Sequence, residues 1–306
     1  MKCAICPSHA SFVVTGYTNP FCPFHFRAHI FRQVSFAIDK YRLFGHDKKI
    51  LVPLTGKENS FVLAEILSRM NFDIIAVHIN HGFGDYSRIV EETAHAFATK
   101  FGIFLEIYRI EELLGFTLDK AVSYSLSKTC TLCRETRRYY LNRLAVELGC
   151  DVIATAQTLD DETSLLIGSI LNWQMDHLPV HGPLSPEEKG TVGKAKPLVR
   201  LTDHEVHMYA ELAGIYLEET SCPHAKGVAG PVYKKVMEAI EWEMPGTKEH
   251  FYSTYLKSAK YRMTRAEAGK GASYHCPCCG YKIIRKNLCL VCMLKEKASR
   301  GEYSLK

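Results

Sequence analysis

The chain has 306 residues, 47% of them hydrophobic and 23% charged, with a formal net charge of +5; this globular profile excludes a low-complexity or disordered polymer and gives a prior of about two domains. No apolar run reaches the length of a membrane span, and Met1-Lys2-Cys3-Ala4-Ile5-Cys6 has no signal-peptide pattern, so a cytoplasmic protein with no membrane partner is expected. Disulfides do not persist in that compartment, so the 12 cysteines point to metal or redox chemistry.

Cys3-x2-Cys6 and Cys22-x2-His25, joined by a short hairpin with Gly16 and Pro20, supply four ligands in two paired turns. That set suits a closed, structural Zn²⁺ site holding together a segment too small to fold alone. From Pro23 to about Phe44, the residues Phe26, Ile30, Phe31, Val34, Ile38 and Tyr41 fit an amphipathic helix. Ile50 to Leu54 is an apolar run too short for a helix. Thr55-Gly56-Lys57-Glu58-Asn59-Ser60 then turns the chain, and a helix over 59–70 begins at once. In a parallel sheet such a loop lies at the carboxyl end of a strand, where helix N-terminal amides attract anions, and a nucleotide phosphate is the expected guest.

A second strand, 74–79, ends in the glycine-containing loop Asn80 to Ser87. A helix from about Ser87 to Phe101 and a strand from Ile103 to Tyr108 complete two βαβ repeats, which predicts an α/β fold with a doubly wound, mainly parallel sheet. Cys130-Thr131-Leu132-Cys133, followed by Arg134, Arg137 and Arg138, leads into a helix carrying Leu141, Leu144, Ala145 and Leu148. A strand from Asp151 to Ala154 runs into Thr155-Ala156-Gln157-Thr158-Leu159-Asp160-Asp161-Glu162 and a helix ending near Trp173. The adjacent carboxylates suit either helix capping or Mg²⁺ and proton work beside a phosphate.

Residues 177–193 read as a long exposed loop, Lys196 to Val199 as a strand, and Thr202-Asp203-His204-Glu205 as the cap of a helix over 206–212. Cys222 stands alone before Pro223, and helices over about 231–243 and 245–262 follow. Cys276-x2-Cys279 with Cys289-x2-Cys292 then reads as a second structural zinc site of the four-cysteine ribbon type. Cys278 is a spare thiol inside it, and Cys150 at the start of a buried strand reads as core. From Lys270 to Lys306 eight Lys or Arg face two Glu, a basic tail suited to an acidic polymer such as RNA, with Lys282, Arg285, Lys286 and Lys295 the candidate phosphate contacts.

Thr55 to Ser60 resembles the PP-loop of the ATP pyrophosphatases, whose pattern is Ser-Gly-Gly-Lys-Asp-Ser. The features taken in order resemble the tRNA 2-thiouridine synthetases, a PP-loop group that adenylates a uridine and replaces its 2-oxygen with sulfur. That group carries a Cys-x2-Cys/Cys-x2-His site, the PP-loop, a Cys-x2-Cys followed by a basic residue, a Gly-His-Asn-Leu-Asp-Asp-Glu segment, a later Cys-Pro and a C-terminal ribbon. This chain has a counterpart of each. The resemblance implies a fold like the adenine nucleotide alpha hydrolases over 28–265, between a zinc knuckle at 1–27 and a zinc ribbon at 270–306. It implies that Cys130, Cys133 and Cys222 hold a [4Fe-4S] cluster whose fourth iron carries sulfide. It also implies that Pro53, Leu54, Thr55, Gly56, Lys57, Ser60, His78, Ala156, Asp160 and Asp161 line a site for ATP and Mg²⁺. Asp161 and Arg137 would act with the three cysteines in catalysis. The implied partners are tRNA, a sulfur donor (sulfide or a ubiquitin-like sulfur carrier) and a second copy of the chain.

All eleven expected metal-site residues are present, but the nucleotide side departs from the pattern. Lys57 stands at the second glycine, Glu58 at the lysine and Asn59 at the aspartate; Gly-His-Asn becomes Ala156-Gln157-Thr158, and Arg137 replaces a typical lysine. Lys57 is expected to strain the turn, Glu58 to turn away and cap its own helix, and Arg137 to clamp an anion without shuttling a proton. One reading is an ATP-dependent tRNA sulfurtransferase in which Lys57 supplies the loop's charge. Another is a cluster-bearing paralogue that no longer adenylates and removes or carries sulfur, or partners an active paralogue. A third, a zinc protein that only binds nucleic acid, does not need three cluster-type cysteines.

Overall fold

The computed structural model of the protein describes residues 1–14, 19–119, 129–175, 178, 181–185, 187, 191–218, 220–224, 230–258, 274–283 and 286–300. Gly16, Lys270, Arg285, Lys306, parts of 177–193 and the expected end of the helix over 245–262 lie outside the described residues.

A hairpin opens the chain, β1 (Phe12–Val14) against β2 (Asn19–Phe21). It feeds α1 (Pro23–Tyr41), where Pro23 occupies the first turn, whose amide has no helical partner to lose, and Arg42 closes the last turn in the left-handed region at φ 50°. Phe26, Ile30, Val34, Ala37 and Ile38 form its buried stripe. Burying each larger side chain of this kind contributes roughly 1.5–3 kcal/mol. Four of them pack in one core with Cys3, Val14 and Phe21, so the N-terminal segment shares its interior with the main sheet.

The expected βαβ repeats are β3 (Lys49–Pro53), α2 (Glu58–Arg69), β4 (Asp73–Asn80), α3 (Gly84–Phe101) and β5 (Leu105–Arg109). After them come α4 (Ile110–Leu114), α5 (Thr129–Glu147), β6 (Val152–Ala154), α6 (Leu159–Leu171), β7 (Leu184–Ser185) and β8 (Gly193–Ala195). The sheet runs β5-β4-β3-β6-β8-β7, parallel except for β7. β3 is covered on both faces: Ile50, Val52 and Leu54 enter one core and Leu51 the other, as the two-residue period of a central strand requires. The strand order reverses between β3 and β6, and the carboxyl ends of these two strands frame the crevice where open α/β sheets bind ligands.

Two segments differ from the expectation: 177–193, expected as an exposed loop, carries β7 and buried Leu178 and His181, and the strand expected at 196–199 is displaced. Residues 197–200 form a turn, and the ladder runs instead through Gly193–Ala195, paired to Val152–Ala154. Pro197 has no amide to give a central strand, and this explains the shift.

The chain continues with α7 (Asp203–Ala213), α8 (Gly230–Glu243), α9 (Thr247–Lys257), β9 (Tyr274–His275), β10 (Lys282–Ile283) and α10 (Leu290–Ser299). The Thr202–Glu205 capping box forms as expected and starts α7, which packs on α2; buried Tyr209 Oη donates to Glu65 Oε2 at 2.7 Å between them. α10 packs on α5, and the Tyr281 ring meets Tyr139 edge-on at 5.0 Å. The C-terminal module is thus docked against the helix that begins with Cys130 and Cys133. Among the described residues no helix is long and apolar enough to cross a membrane.

Candidate active site

Leu54 N donates to Val77 O at 2.8 Å, so β-pairing runs one residue past β3 before the chain turns. Gly56 makes the turn at φ 81°, and a Cβ on it would lie 2.7 Å from Val90 Cγ1; both the conformation and the space demand glycine. Lys57 is the N-cap of α2 at φ −93° and ψ 139°, an extended geometry open to any residue, so the strain expected of it does not arise. Ser60 is buried and knits the turn: its Oγ donates to Lys57 O at 2.7 Å and accepts from Thr55 N at 3.1 Å. Glu58 does turn away, as expected, but toward α7, with both carboxylate oxygens 3.2 Å from His207 Nδ1. Below the turn, His78 Nδ1 donates to Leu54 O at 2.8 Å, and burial pushes its pKa down, keeping the ring neutral. Pro53, buried at the end of β3, and half-buried Ala156 just past β6 flank the crevice.

The paired aspartates have different surroundings. Thr158 caps α6 in a reciprocal box with Asp161, accepting from Asp161 N at 3.3 Å and donating its own amide to Asp161 Oδ2 at 3.2 Å. Asp160 is buried with both oxygens engaged: Oδ2 accepts from Asp203 N at 2.6 Å, and Oδ1 pairs with buried Lys248 of α9. It ties α6, α7 and α9 together. Asp161 Oδ1 lies 2.6 Å from Lys234 Nζ of α8, which lies 2.6 Å from Asp203 Oδ2. Asp203 Oδ1 also accepts from Thr158 Oγ1 at 2.6 Å and from Asn59 Nδ2 at 3.3 Å. Burial works against the Asp203 charge, but Lys234 and Thr158 outweigh it and hold the carboxyl below its ordinary range. Asn59 is therefore joined to a carboxylate from α7 and, through it, to a cation from α8. Lys234 and Lys248 carry no motif signal and escape sequence reading; Asp203 was legible only as part of a helix cap.

α5 bears Cys130 and Cys133 in its first turns and Arg137 about one turn on. Cys130 Sγ donates to the His224 carbonyl at 3.3 Å, which ties this helix start to the segment of Cys222. Burial pushes the Cys133 thiol up, Arg137 draws it down, and Cys222 and Cys130 act on it as neighbours. Tyr86 of α3 feels Cys222, Cys133 and Arg137 together. Cys130 is thus tied to the Cys222 segment through His224, and Cys222, Cys130 and Arg137 are near enough to Cys133 to act on its charge. His81 stacks on Phe83 at 6.0 Å, and Phe83 meets His224 at 4.9 Å. Burial, then the Arg137 charge and His78, bring the His81 pKa down to about 3. His78 Nε2, His81 Nε2, Thr136 Oγ1 and Gln157 Oε1 are buried without hydrogen-bond partners, and such atoms are left for a polar ligand to satisfy. Lys194 of β8, beside Arg138 and Arg137, is brought down by burial to about 8; it is a cation that can titrate where Arg137 cannot.

Two further sets gather more tightly. Cys3, Cys6, Cys22 and His25, and likewise Cys276, Cys279, Cys289 and Cys292, hold all their ligand atoms within 4.8 Å of one another. Cys22 Sγ is 3.3 Å and Cys3 Sγ 3.4 Å from His25 Nδ1, Cys6 and Cys22 are 3.8 Å apart, and Cys279 and Cys289 3.6 Å. A tetrahedral ion with metal–sulfur bonds of about 2.3 Å spaces its sulfurs by about 3.8 Å, so both sets fit one four-coordinate cation each. At Cys3 and Cys276 burial raises the thiol, but backbone hydrogen bonds prevail and bring each down to about 6. Cys130, Cys133 and Cys222 do not close to that limit. A cubane binds each thiolate to its own iron and does not require its ligands to lie that close.

A parallel sheet with a glycine turn at its switch point, a helix N-terminus behind the turn and cations facing it defines an α/β domain of the PP-loop class, and residues 28–221 match the PP-loop domain family. The tRNA-5-methyluridine(54) 2-sulfurtransferase of Pyrococcus horikoshii is 36% identical over 261 residues, covering 85% of this chain and 83% of that one. The enzyme of the same name from Thermus thermophilus is 31% identical over 300 residues, covering 98% and 92%. The chain belongs to this PP-loop family of tRNA sulfurtransferases. Among solved structures, the U34-tRNA thiolase NcsA from Methanococcus maripaludis, with its [4Fe-4S] cluster, shares the fold at a TM-score of 0.78 and 23% identity over 97% of this chain and 96% of that one.

Proposed function

We propose that the protein replaces the 2-oxygen of a tRNA uridine with sulfur, the 5-methyluridine at position 54 being the target that its relatives' names indicate. The observation that supports this reading is that Cys130 Sγ bonds the carbonyl of His224, two residues from Cys222, while Cys222 and Arg137 both act on the charge of Cys133, although Cys222 is remote in sequence. The α2 amides and the Gly56 turn bind the phosphates of ATP, with His78 holding the turn in place; the uridine 2-oxygen attacks the α-phosphate and releases pyrophosphate, and sulfide attack at C2 then expels that oxygen as AMP. Cys130, Cys133 and Cys222 would hold a [4Fe-4S] cluster, which would supply the sulfide to be delivered. Arg137, permanently charged, offsets the negative charge that grows on the uridine 2-oxygen or on the departing phosphate. Asp161, oriented by Thr158, works from the opposite wall with Lys234.

The two four-ligand sets hold structural Zn²⁺, and Lys282, Lys286 and Lys295 of the ribbon contact tRNA phosphates. Sulfide or a sulfur-carrier protein delivers the sulfur. A homodimer is supported by the exposed apolar side chains Leu165, Leu171 and Trp173 on α6 and just past its end, and Val232 and Trp242 on α8, a helix that packs on α6. One observation favours the non-adenylating alternative: Ser60 and Asp161 are bonded within the protein, and Glu58 adds negative charge to the first turn of α2.

Anaerobic reconstitution with iron and sulfide tests the proposal. The wild type should turn brown and retain about four irons per chain beyond zinc, and Cys222→Ala should lose both colour and iron. Full cluster content in Cys222→Ala would refute it.

A further inference from the structure

We infer that Lys234 takes the place of the divalent cation at this loop, so that the nucleotide phosphates are held by its ammonium without Mg²⁺. The inference rests on the proposal that the crevice binds ATP. Two carboxylates on different helices, Asp161 of α6 and Asp203 of α7, aim at one point, and Lys234 Nζ occupies it at 2.6 Å from each. Bridging two carboxylate oxygens beside a phosphate loop is the work that a small hard cation does in other nucleotide sites.

The rest of the loop fits this substitution. Where the PP-loop pattern has an aspartate, this chain has Asn59, an amide and a poorer metal ligand; its Nδ2 instead donates to Asp203 at 3.3 Å. Where the pattern has a lysine, Glu58 stands, and it points to His207. The carboxylate and the cation of the pattern are thus both missing from their positions, and Asp203 and Lys234 bring one of each from α7 and α8. Lys234 is held charged: burial works against the ammonium, but the bonds to Asp161 and Asp203 prevail. A Mg²⁺ ion placed between the same oxygens would meet that ammonium at contact distance and be repelled. An ammonium has three protons, two of which the carboxylates take, and the side chain is still 26% exposed, so the third can serve a phosphate oxygen. Lys248 is the contrasting case. It is buried against Asp160 and serves the packing of helices.

Calorimetry of ATP binding to the full chain, in EDTA and in Mg²⁺, tests the inference, with binding of Mn²⁺ alone followed by electron paramagnetic resonance. Wild-type affinity should change by less than about threefold between EDTA and Mg²⁺. Lys234→Met should bind ATP at least about tenfold more weakly in EDTA, the loss expected for one charge-assisted hydrogen bond, and Mg²⁺ should restore it. The same variant should bind Mn²⁺ alone at least about tenfold more tightly than the wild type, because Asp161 and Asp203 are released. Lys234→Arg should keep the wild-type behaviour in EDTA. Wild-type binding that requires Mg²⁺, or Lys234→Met binding equal to wild type in EDTA, would overturn the inference and leave the ATP site standing. Absence of ATP binding to the wild type in both conditions would bring down the ATP site and the inference together.

Discussion

Gly56→Ala tests the loop geometry through two separable costs. At φ 81° an L-residue pays about 1–2 kcal/mol for its left-handed conformation. The new Cβ would also stand 2.7 Å from Val90 Cγ1 and 2.9 Å from Cγ2, an overpacking worth about 1–3 kcal/mol. The sum, about 2–5 kcal/mol, corresponds to a fall of about 3–8 °C in melting temperature for a chain of this length. Val90→Ala removes the clash and leaves the backbone conformation untouched. In that background Gly56→Ala should cost only about 1–2 kcal/mol, so a double-mutant cycle by thermal melting should show about 1–3 kcal/mol of favourable coupling. Additive effects within about 0.5 kcal/mol would refute the contact between the turn and α3.

Glu162 is fully buried beside Lys196, and burial lifts its pKa to about 7 against the pull of that lysine. Its folded pKa is above the unfolded one, so its stability contribution is complete below the unfolded value near 4.5 and is lost as pH rises through 7. The melting-temperature gap between wild type and Glu162→Gln should therefore narrow from pH 4.5 to 7.5; a widening gap would reverse the assignment. Cys279→Ser should lower zinc from about two ions per chain to about one and cost solubility or folding before any catalytic step, as metal analysis and melting will show. Joint neutralisation of Lys282, Lys286 and Lys295 should weaken tRNA binding and flatten its salt dependence by about one unit per lost phosphate contact. Unchanged affinity and slope would place the RNA surface elsewhere.

How far the molecule could be read in advance depended on the range of the signals. The two-residue period of Ile50, Val52 and Leu54 and the caps at Thr158 and Thr202 are local, and β3, α6 and α7 fell within a few residues of expectation. The Cys-x2-Cys and Cys-x2-His spacings were equally local, because chelation within one turn leaves its mark in sequence. β8 was misplaced by a few residues because a three-residue strand has no period to count. The nucleotide side was legible only as a list of departures. What compensates them comes from remote helices: His207 draws Glu58 away, Asp203 holds Asn59, Lys234 bridges Asp161 and Asp203, and Lys248 neutralises Asp160. Each of these is a single side chain on a helix whose periodicity reports only its buried face. Lys57 shows the converse: alignment with a glycine predicts strain there, but the turn puts the positive φ on Gly56 alone.

The most direct test of the account is the nucleoside content of tRNA after incubation with anaerobically reconstituted protein, a sulfide source and ATP. Mass spectrometry should find a 2-thiolated uridine only when ATP is present, and none with Cys222→Ala. Thiolation that proceeds equally without ATP would contradict adenylation. Failure to thiolate by a wild-type protein that carries its full cluster and binds tRNA would contradict the proposed activity itself.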